Sequence, residues 1–351
     1  MQTIRNIRLQ SQHLVNQKIT DIKELVQYMG AIQAQEYTMA KWAIGSRLGS
    51  ATDKTIEEAF NEGKILRTHV MRPTWHFVAN EDIRWMVELS SKRIISACIS
   101  LGKQWEIPEK QYLKAINLIE KLLEGNNHLT KEEIKKEFEQ RNIPSDIPEI
   151  NRYLMRAEAE GLICSGAVKN KKQTYALIDE RAPATNTLTK EEALARLASR
   201  YFLSHSPASM NDFIWWSGLL ISEAKQAVKL IEKDLIFEKF EGSELIIHRS
   251  VDYQPVLDDS IHFLPSYDEY LISYKNRTNV LDLEHYSKAF NTYGIFYPVL
   301  AHNGRIVGNW KKSANKKQLS VDTSLFIEIP DIKEILYEQA HKKYHSFLDK
   351  K

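Results

Sequence analysis

"LTKEEIKKEFEQRNIPSDIPEINRYLMRAEAEGLICSGAVKNKKQTYALI", residues 129–178, decides how this chain is read. Thr130 stands three residues before Glu133, an N-cap with its reciprocal partner, and apolar residues follow at helical spacing. "IPSDIPEI" is a proline-bounded turn, and the next helix carries Ile150, Leu154, Ala157 and Leu162. Beyond Gly161, two strand-like runs, "LICSGAV" and "QTYALI", flank the basic turn "KNKK". Helix, turn, helix and basic-tipped hairpin is the order of a winged-helix module. In such a module the second helix enters a groove and the hairpin tip meets phosphate.

The order recurs on either side. From residue 187, "TLTKEEALARLASRYFLSHSP" is a capped helix, and "ASMNDFIWWSGLLISEAKQAVKLIEKDLI" supplies a short helix and a longer one. "FEKFEGSELIIHRS" then makes a hairpin whose acidic Glu-Gly tip argues against a phosphate contact. A looser version opens the chain: helices through "DIKELVQYM", "YTMAKWAIGSRL" and "TIEEAFNEGKI", then two strands in "LRTHVMRPTWHFV", then a helix from "NEDIRWMVEL". After about residue 255, strand-like runs take over, with "HNGR" as a hairpin turn, and an amphipathic helix closes the chain. The expected fold is α+β, mainly α. Winged helices over 1–110, 111–183 and 184–254 form a concave surface, and a small β-barrel-like domain spans 255–351.

Composition sets the outer limits. At 351 residues the chain can bury large cores, and 43% hydrophobic with 27% charged residues is that of a folded protein. No apolar run approaches the ~20 residues of a membrane span. The opening residues lack the apolar core of a secretory signal, so a cytoplasmic protein is expected. Cys98 and Cys164 have neither CxxC spacing nor a neighbouring histidine pattern, which argues against zinc or a disulfide framework. Net charge is +2, but basic residues gather in "VKNKKQTY" (168–175), "ISYKNRTN" (272–279) and "NWKKSANKKQ" (309–318), each beside a turn.

"GAIQAQEYTMAKWAIGSRL", residues 30–48, sets Gln33 and Gln35 among apolar neighbours. Residues two apart lie roughly 200° apart on a helix, so the two amides cannot converge inside one. Gly30 follows "DIKELVQYM" where a helix C-cap is expected, which makes "QAQ" a connection into the next helix. There the amides either satisfy local backbone groups or bind something that needs two neutral hydrogen-bonding arms.

Four stretches carry a resemblance: "GAIQAQEYTMAKWAIGSRL", "GKILRTHVMRPTWHFV", "FLPSYDEYLISYKNR" and "GIFYPVLAHNGRIVGNWKK". Over nearly its whole length the chain resembles the winged-helix DNA glycosylases of the AlkZ/YcaQ type. The resemblance implies three tandem winged helices lining a concave channel, a β-rich C-terminal domain, and excision of alkylated purines from duplex DNA, N7-alkylguanine and interstrand crosslinks among them. The family's catalytic signature, Gln, an apolar residue, then Gln or Asp, falls on Gln33-Ala34-Gln35. The Gln-ending form is the one associated with crosslink unhooking.

Around that pair, Arg67, Arg72, Arg152, Arg156, Lys169, Lys171, Lys172, Lys275, Arg277, Lys311 and Lys312 are expected to contact the DNA backbone. His69, His76 and Asp268 are the candidates to line the site, although a buried, hydrogen-bonded histidine is the better account of either ring. Asp268 and Glu269 are adjacent, so on a strand at most one of them faces a site. No P-loop, GxGxxG or HExxH is present, and no metal or other cofactor is expected. No lysine is placed as a Schiff-base nucleophile, so a monofunctional enzyme is expected, without an obligate protein partner. The competing readings are a non-catalytic winged-helix regulator and a scaffold that binds protein.

Overall fold

The computed structural model describes all residues except 185, 241, 255–257, 316–317, 330–333 and 349–351. The chain forms two compact units, one from Met1–Ile56 with Leu194–Lys351, the other from Glu57–Ala193. The fold is mixed α/β and about half helical. Among the described residues no helix is long and apolar enough to cross a membrane.

In the 57–193 unit, strands Ile65–Val70 and Thr74–Ala79 pair antiparallel, with Thr68 opposite His76 and His69 opposite Trp75. The helix Ile83–Gly102 follows, then helices Glu109–Leu123, Lys131–Gln140 and Ile147–Ala159. Thr130 caps Lys131–Gln140: its side chain accepts the Glu133 N–H, and the Glu133 carboxylate accepts the Thr130 N–H, so two terminal donors are satisfied reciprocally. Strands Ile163–Ser165 and Thr174–Leu177 form the hairpin, and Leu129–Thr130 adds a third strand beside Thr174–Leu177. Tyr112, Ile119, Phe138, Ile150, Tyr153 and Ile163 bury one core at the helix spacing of the sequence.

In the other unit, helices Gln2–Ser11, Ile22–Met29 and Tyr37–Gly45 precede Lys190–His205, Met210–Ser217 and Ile221–Leu230. The hairpin Leu235–Phe240/Ser243–His248 comes next. Of its acidic tip, Glu241 lies outside the described residues. Four strands close the order, Gln318–Leu325, Arg305–Asn315, Val299–His302 and Ile261–Leu264, all antiparallel. Asn303 and Gly304, at φ 48° and 76°, make the two-residue turn that "HNGR" announced. A side chain at Gly304 would meet the Tyr270 hydroxyl at 2.6 Å.

The expected barrel is not closed. Gln318–Leu325 and Ile261–Leu264 stay at opposite edges of an open sheet. Four strands at ~4.8 Å spacing are too few to wrap around a core of their own side chains. The helix Glu334–Leu348 supplies that core instead, with Tyr344 against Trp42 and Trp310 at 4.9 and 5.0 Å between ring centroids.

Candidate active site

Gly30, at φ 77°, ends the helix Ile22–Met29, and a side chain there would meet Trp216 at 3.3 Å. The chain is then extended through Ile32–Gln33, bends at Gln35 and Glu36, and enters the helix Tyr37–Gly45. Gln33 is 4% exposed, whereas Gln35 lies on the exposed bend. The two amides are therefore carried by turned backbone, where the phase of a helix does not hold them apart.

What fixes this segment is a buried carboxylate. Glu269 is 1% exposed. Its Oε1 accepts the Gln33 backbone N–H at 2.6 Å, and its Oε2 accepts the Trp216 indole N–H at 3.1 Å and the Ser273 hydroxyl. His205 Nε2 lies 3.6 Å from the same oxygen. Burial pushes the His205 pKa below its usual value against the pull of Glu269, so the ring is neutral near pH 7. Donors from three elements thus converge on one buried carboxylate.

Asp268 faces elsewhere. Its two oxygens accept from Arg47 Nη1 and Nη2 at 2.8 Å each, a bidentate pair in which both side chains are almost wholly buried. Arg47 also donates to Gln12 Oε1 and to the Ala43 carbonyl. Burial lowers the Arg47 pKa, and the charge and hydrogen bonds of Asp268 outweigh it, so the net shift is upward. Strand alternation does not govern this stretch: Asp268 is the N-cap of the short helix Glu269–Ile272, with Tyr267 before it at φ 57°. The two carboxylates diverge because one is a cap and the other lies in the first turn.

The remaining candidates fall in both units. In the 57–193 unit, Arg67 is buried with its guanidinium 3.8 Å from the Trp75 ring centroid. His69 packs on the same ring at 4.8 Å, with Nδ1 2.6 Å from Glu158. His76 is fully buried, Nδ1 2.9 Å from the Thr74 carbonyl, and Arg72 lies in the turn between the two strands. Arg156 pairs with Glu109 and Glu160, while Arg152 reaches the Met155 sulfur at 3.7 Å. At the hairpin tip Lys169 pairs with Glu133 at 2.7 Å and Lys172 with Glu132 at 3.6 Å. Lys171 is exposed at φ 63°.

In the unit that holds the glutamines, Lys275 is exposed, its ammonium 4.6 Å from the Trp215 ring centroid. Arg277 is buried, its Nε donating to the Leu271 carbonyl at 2.9 Å. Lys311 and Lys312 are exposed on the strand Arg305–Asn315, Lys311 4.0 Å from Asp322. Residues 316–317 of that basic run lie outside the described residues. Glu269, Trp216 and His205 were not singled out as partners of the glutamines by the sequence. Their only signal is chemical, an acidic pair in "PSYDEY" and aromatic residues in "FIWWSG".

A cavity of about 570 Å³, lined by Gln10, His13, Lys18, Tyr28 and Asp252 among others, contains neither glutamine. Asp282, Glu284 and His285 place ligand atoms within 4.8 Å of one another, the one such trio among the described residues, and Asp282 also binds Arg305.

Residues 26–335 match the family model described as DNA glycosylase AlkZ-like. The chain belongs to the AlkZ-like DNA glycosylase family. As a member of that family it is a hydrolase of N-glycosyl bonds that acts on DNA. It is also similar to the solved structure of the Streptomyces sahachiroi DNA glycosylase AlkZ. The TM-score is 0.81 at 18% identity, over 99% of this chain and 96% of that one. At that identity the likeness speaks for the fold. No curated protein matches this AlkZ-like chain.

Proposed function

We propose that this glycosylase releases cationic N7-alkylated purines from duplex DNA, and that Gln33 and Gln35 position the attacking water and steady the sugar. The observation that supports the reading is the anchoring of Gln33 by its backbone: Glu269 takes the N–H, so the segment is held at that point through its main chain. N7 alkylation puts a positive charge on the base, which then leaves without prior protonation. What remains is to orient water and to stabilise an oxocarbenium-like sugar. A glutamine oxygen accepts a hydrogen bond from water while its NH2 donates to water, sugar or phosphate. An amide is a weak general base, which limits the chemistry to activated leaving groups and spares undamaged purines.

In this reading the helix–helix–hairpin stretches at 111–183 and 184–254 act as winged helices, with 1–110 as the first of three such modules and 255–351 as a C-terminal domain. Of the predicted backbone contacts, Lys169, Lys171, Lys172, Lys275, Lys311 and Lys312 are the exposed ones, with Lys169 and Lys172 paired to Glu133 and Glu132. Interstrand crosslinks through N7 of guanine carry the same activated bond and are the second substrate. The test is release of N7-methylguanine from a duplex oligonucleotide, scored as alkali-labile sites, for wild type and Gln35→Ala. Loss of release with unchanged DNA affinity supports the assignment. Equal release by both proteins removes Gln35 from the chemistry.

A further inference from the structure

Between Phe290 and Tyr297 the chain makes a tight loop organised by one side chain. Asn291 Oδ1 accepts the N–H groups of Tyr293 at 3.0 Å and Ile295 at 3.1 Å, and its Nδ2 donates to the Tyr297 hydroxyl at 3.2 Å. Its backbone N–H donates to the Ile295 carbonyl, and Gly294, at φ 78°, donates back to the Asn291 carbonyl. Phe290 and Phe296 stack at 5.0 Å beneath the loop, and the buried Arg277 guanidinium lies 4.9 and 5.1 Å from their centroids. On this base Tyr293 is 89% exposed. Ile295 and Tyr297 are exposed as well, while Phe296 between them is buried, so the two flank it on the outer face.

The loop adjoins the glutamine segment. Tyr267 packs on Phe296 at 6.1 Å and leads directly into Asp268 and Glu269, the latter holding Gln33. Its φ of 57° is a strained conformation for a residue with a side chain, a feature that gathers at functional sites. Burial raises the Tyr267 pKa, and the charges of Glu36 and Tyr297 raise it further. Glu36 is the residue after Gln35. Exposed Lys275 on Trp215, which Arg277 also approaches at 5.5 Å, adds positive charge next to the aromatic base. An exposed ring on a loop fixed by its own hydrogen bonds is ordered before anything binds, so ordering costs little on contact.

We propose that Tyr293 is a stacking wedge that enters the base stack of duplex DNA beside the lesion, with Tyr267 joining its aromatic base to the residues that hold the glutamine segment. Aromatic side chains stack on any base, and apolar wedges unstack base steps, so the contact suits an enzyme that recognises damage in any sequence. The proposal rests on the reading of Gln33–Gln35 as the reacting segment.

The experiment uses the full chain and a duplex with N7-methylguanine flanked by 2-aminopurine, for wild type, Tyr293→Ala, Tyr293→Trp and Gln35→Ala. Wild type, Tyr293→Trp and Gln35→Ala are expected to raise 2-aminopurine fluorescence on binding, and Tyr293→Ala is not. Base-release kcat/KM is expected to fall about tenfold in Tyr293→Ala and to be rescued in Tyr293→Trp. A fluorescence rise in Tyr293→Ala equal to wild type overturns the wedge. So does self-association of wild type that Tyr293→Ala abolishes while its DNA response is unchanged, which would give the face to a second copy. Undiminished release by Gln35→Ala defeats the glutamine reading separately, because the fluorescence arm does not depend on turnover.

Discussion

Glu269 Oε1 lies 2.6 Å from the backbone nitrogen of Gln33, a contact that spans 236 residues of sequence. It joins the segment with the glutamines to a short helix on the far side of the chain. The carboxylate is buried and shared with Trp216 and Ser273, so the segment is held through its main chain by a group that is itself fixed.

The contact makes Glu269 a positioning residue. Glu269→Ala leaves the Gln33 N–H and the Trp216 indole N–H without their buried acceptor, at about 1–3 kcal/mol for each. Thermal unfolding should show a clear loss of Tm, with base release reduced in the fraction that stays folded. Glu269→Gln keeps an acceptor oxygen and should fall between the two. An unchanged Tm in Glu269→Ala would remove the anchor from the account.

Gln35→Asp is the informative change at the exposed amide. A carboxylate is the stronger base, so activity on N7-methylguanine should be kept or widened toward less activated purines, while Gln35→Ala should lose about 10²-fold or more. Single-turnover release from matched duplexes separates these outcomes. Complete inactivity of Gln35→Asp, with normal DNA binding, would mean that the donor NH2 group is the essential part of this amide.

Arg47 and Asp268 form a buried bidentate pair whose single disruption should be severe. Arg47→Met strands the Asp268 carboxylate and should cost about 3–5 kcal/mol. The double variant Arg47→Met with Asp268→Asn should recover part of that loss, since no uncompensated charge remains. Urea denaturation of the four proteins gives the coupling directly, and simple additivity would show that the pair is not coupled.

Acid should destabilise the fold through buried neutral histidines. Burial, aided by Lys343 and Arg47, lowers the His262 pKa to about 3. His13 is lowered to about 4 by burial, then by Arg47 and Lys18. Below about pH 6.5 the unfolded chain binds protons at these rings that the folded chain refuses, so stability falls as pH drops from 6.5 toward 4. His262 alone contributes on the order of 1 kcal/mol per pH unit in that window. His262→Gln should flatten the slope in urea melts run across it, and an unaltered slope would assign acid lability to other groups.

Lys343 acts with the same sign on the alkaline side. Burial, then Arg47, lowers its pKa to about 8, so between pH 8 and 10.5 the unfolded chain holds the proton that the folded chain releases, and stability rises with pH there. Its ammonium donates to the Ser46 carbonyl, which Gln17 also serves at 2.9 Å. Lys343→Met therefore leaves that carbonyl satisfied and should raise stability at pH 7 by about 1 kcal/mol, with the alkaline rise gone. A destabilised variant would show that the Ser46 contact outweighs the burial of the charge.

The sequence by itself determined the local elements. The Thr130–Glu133 box, Gly30 as a helix end, the Asn303-Gly304 turn and the helical spacing of Ile150, Leu154 and Ala157 are all short-range signals, set by backbone geometry within a few residues. It also singled out Gln33 and Gln35, because amides among apolar neighbours are conspicuous in one dimension. Tertiary structure alone decided that Glu269 meets Gln33 while Asp268 meets Arg47, since partners 236 and 221 residues apart leave no periodic trace in the chain. The same holds for the open sheet in place of a barrel, and for Tyr293 on the outer face of a fixed loop. Closure, convergence and exposure depend on how many elements share one core, and adjacent residues do not encode that number.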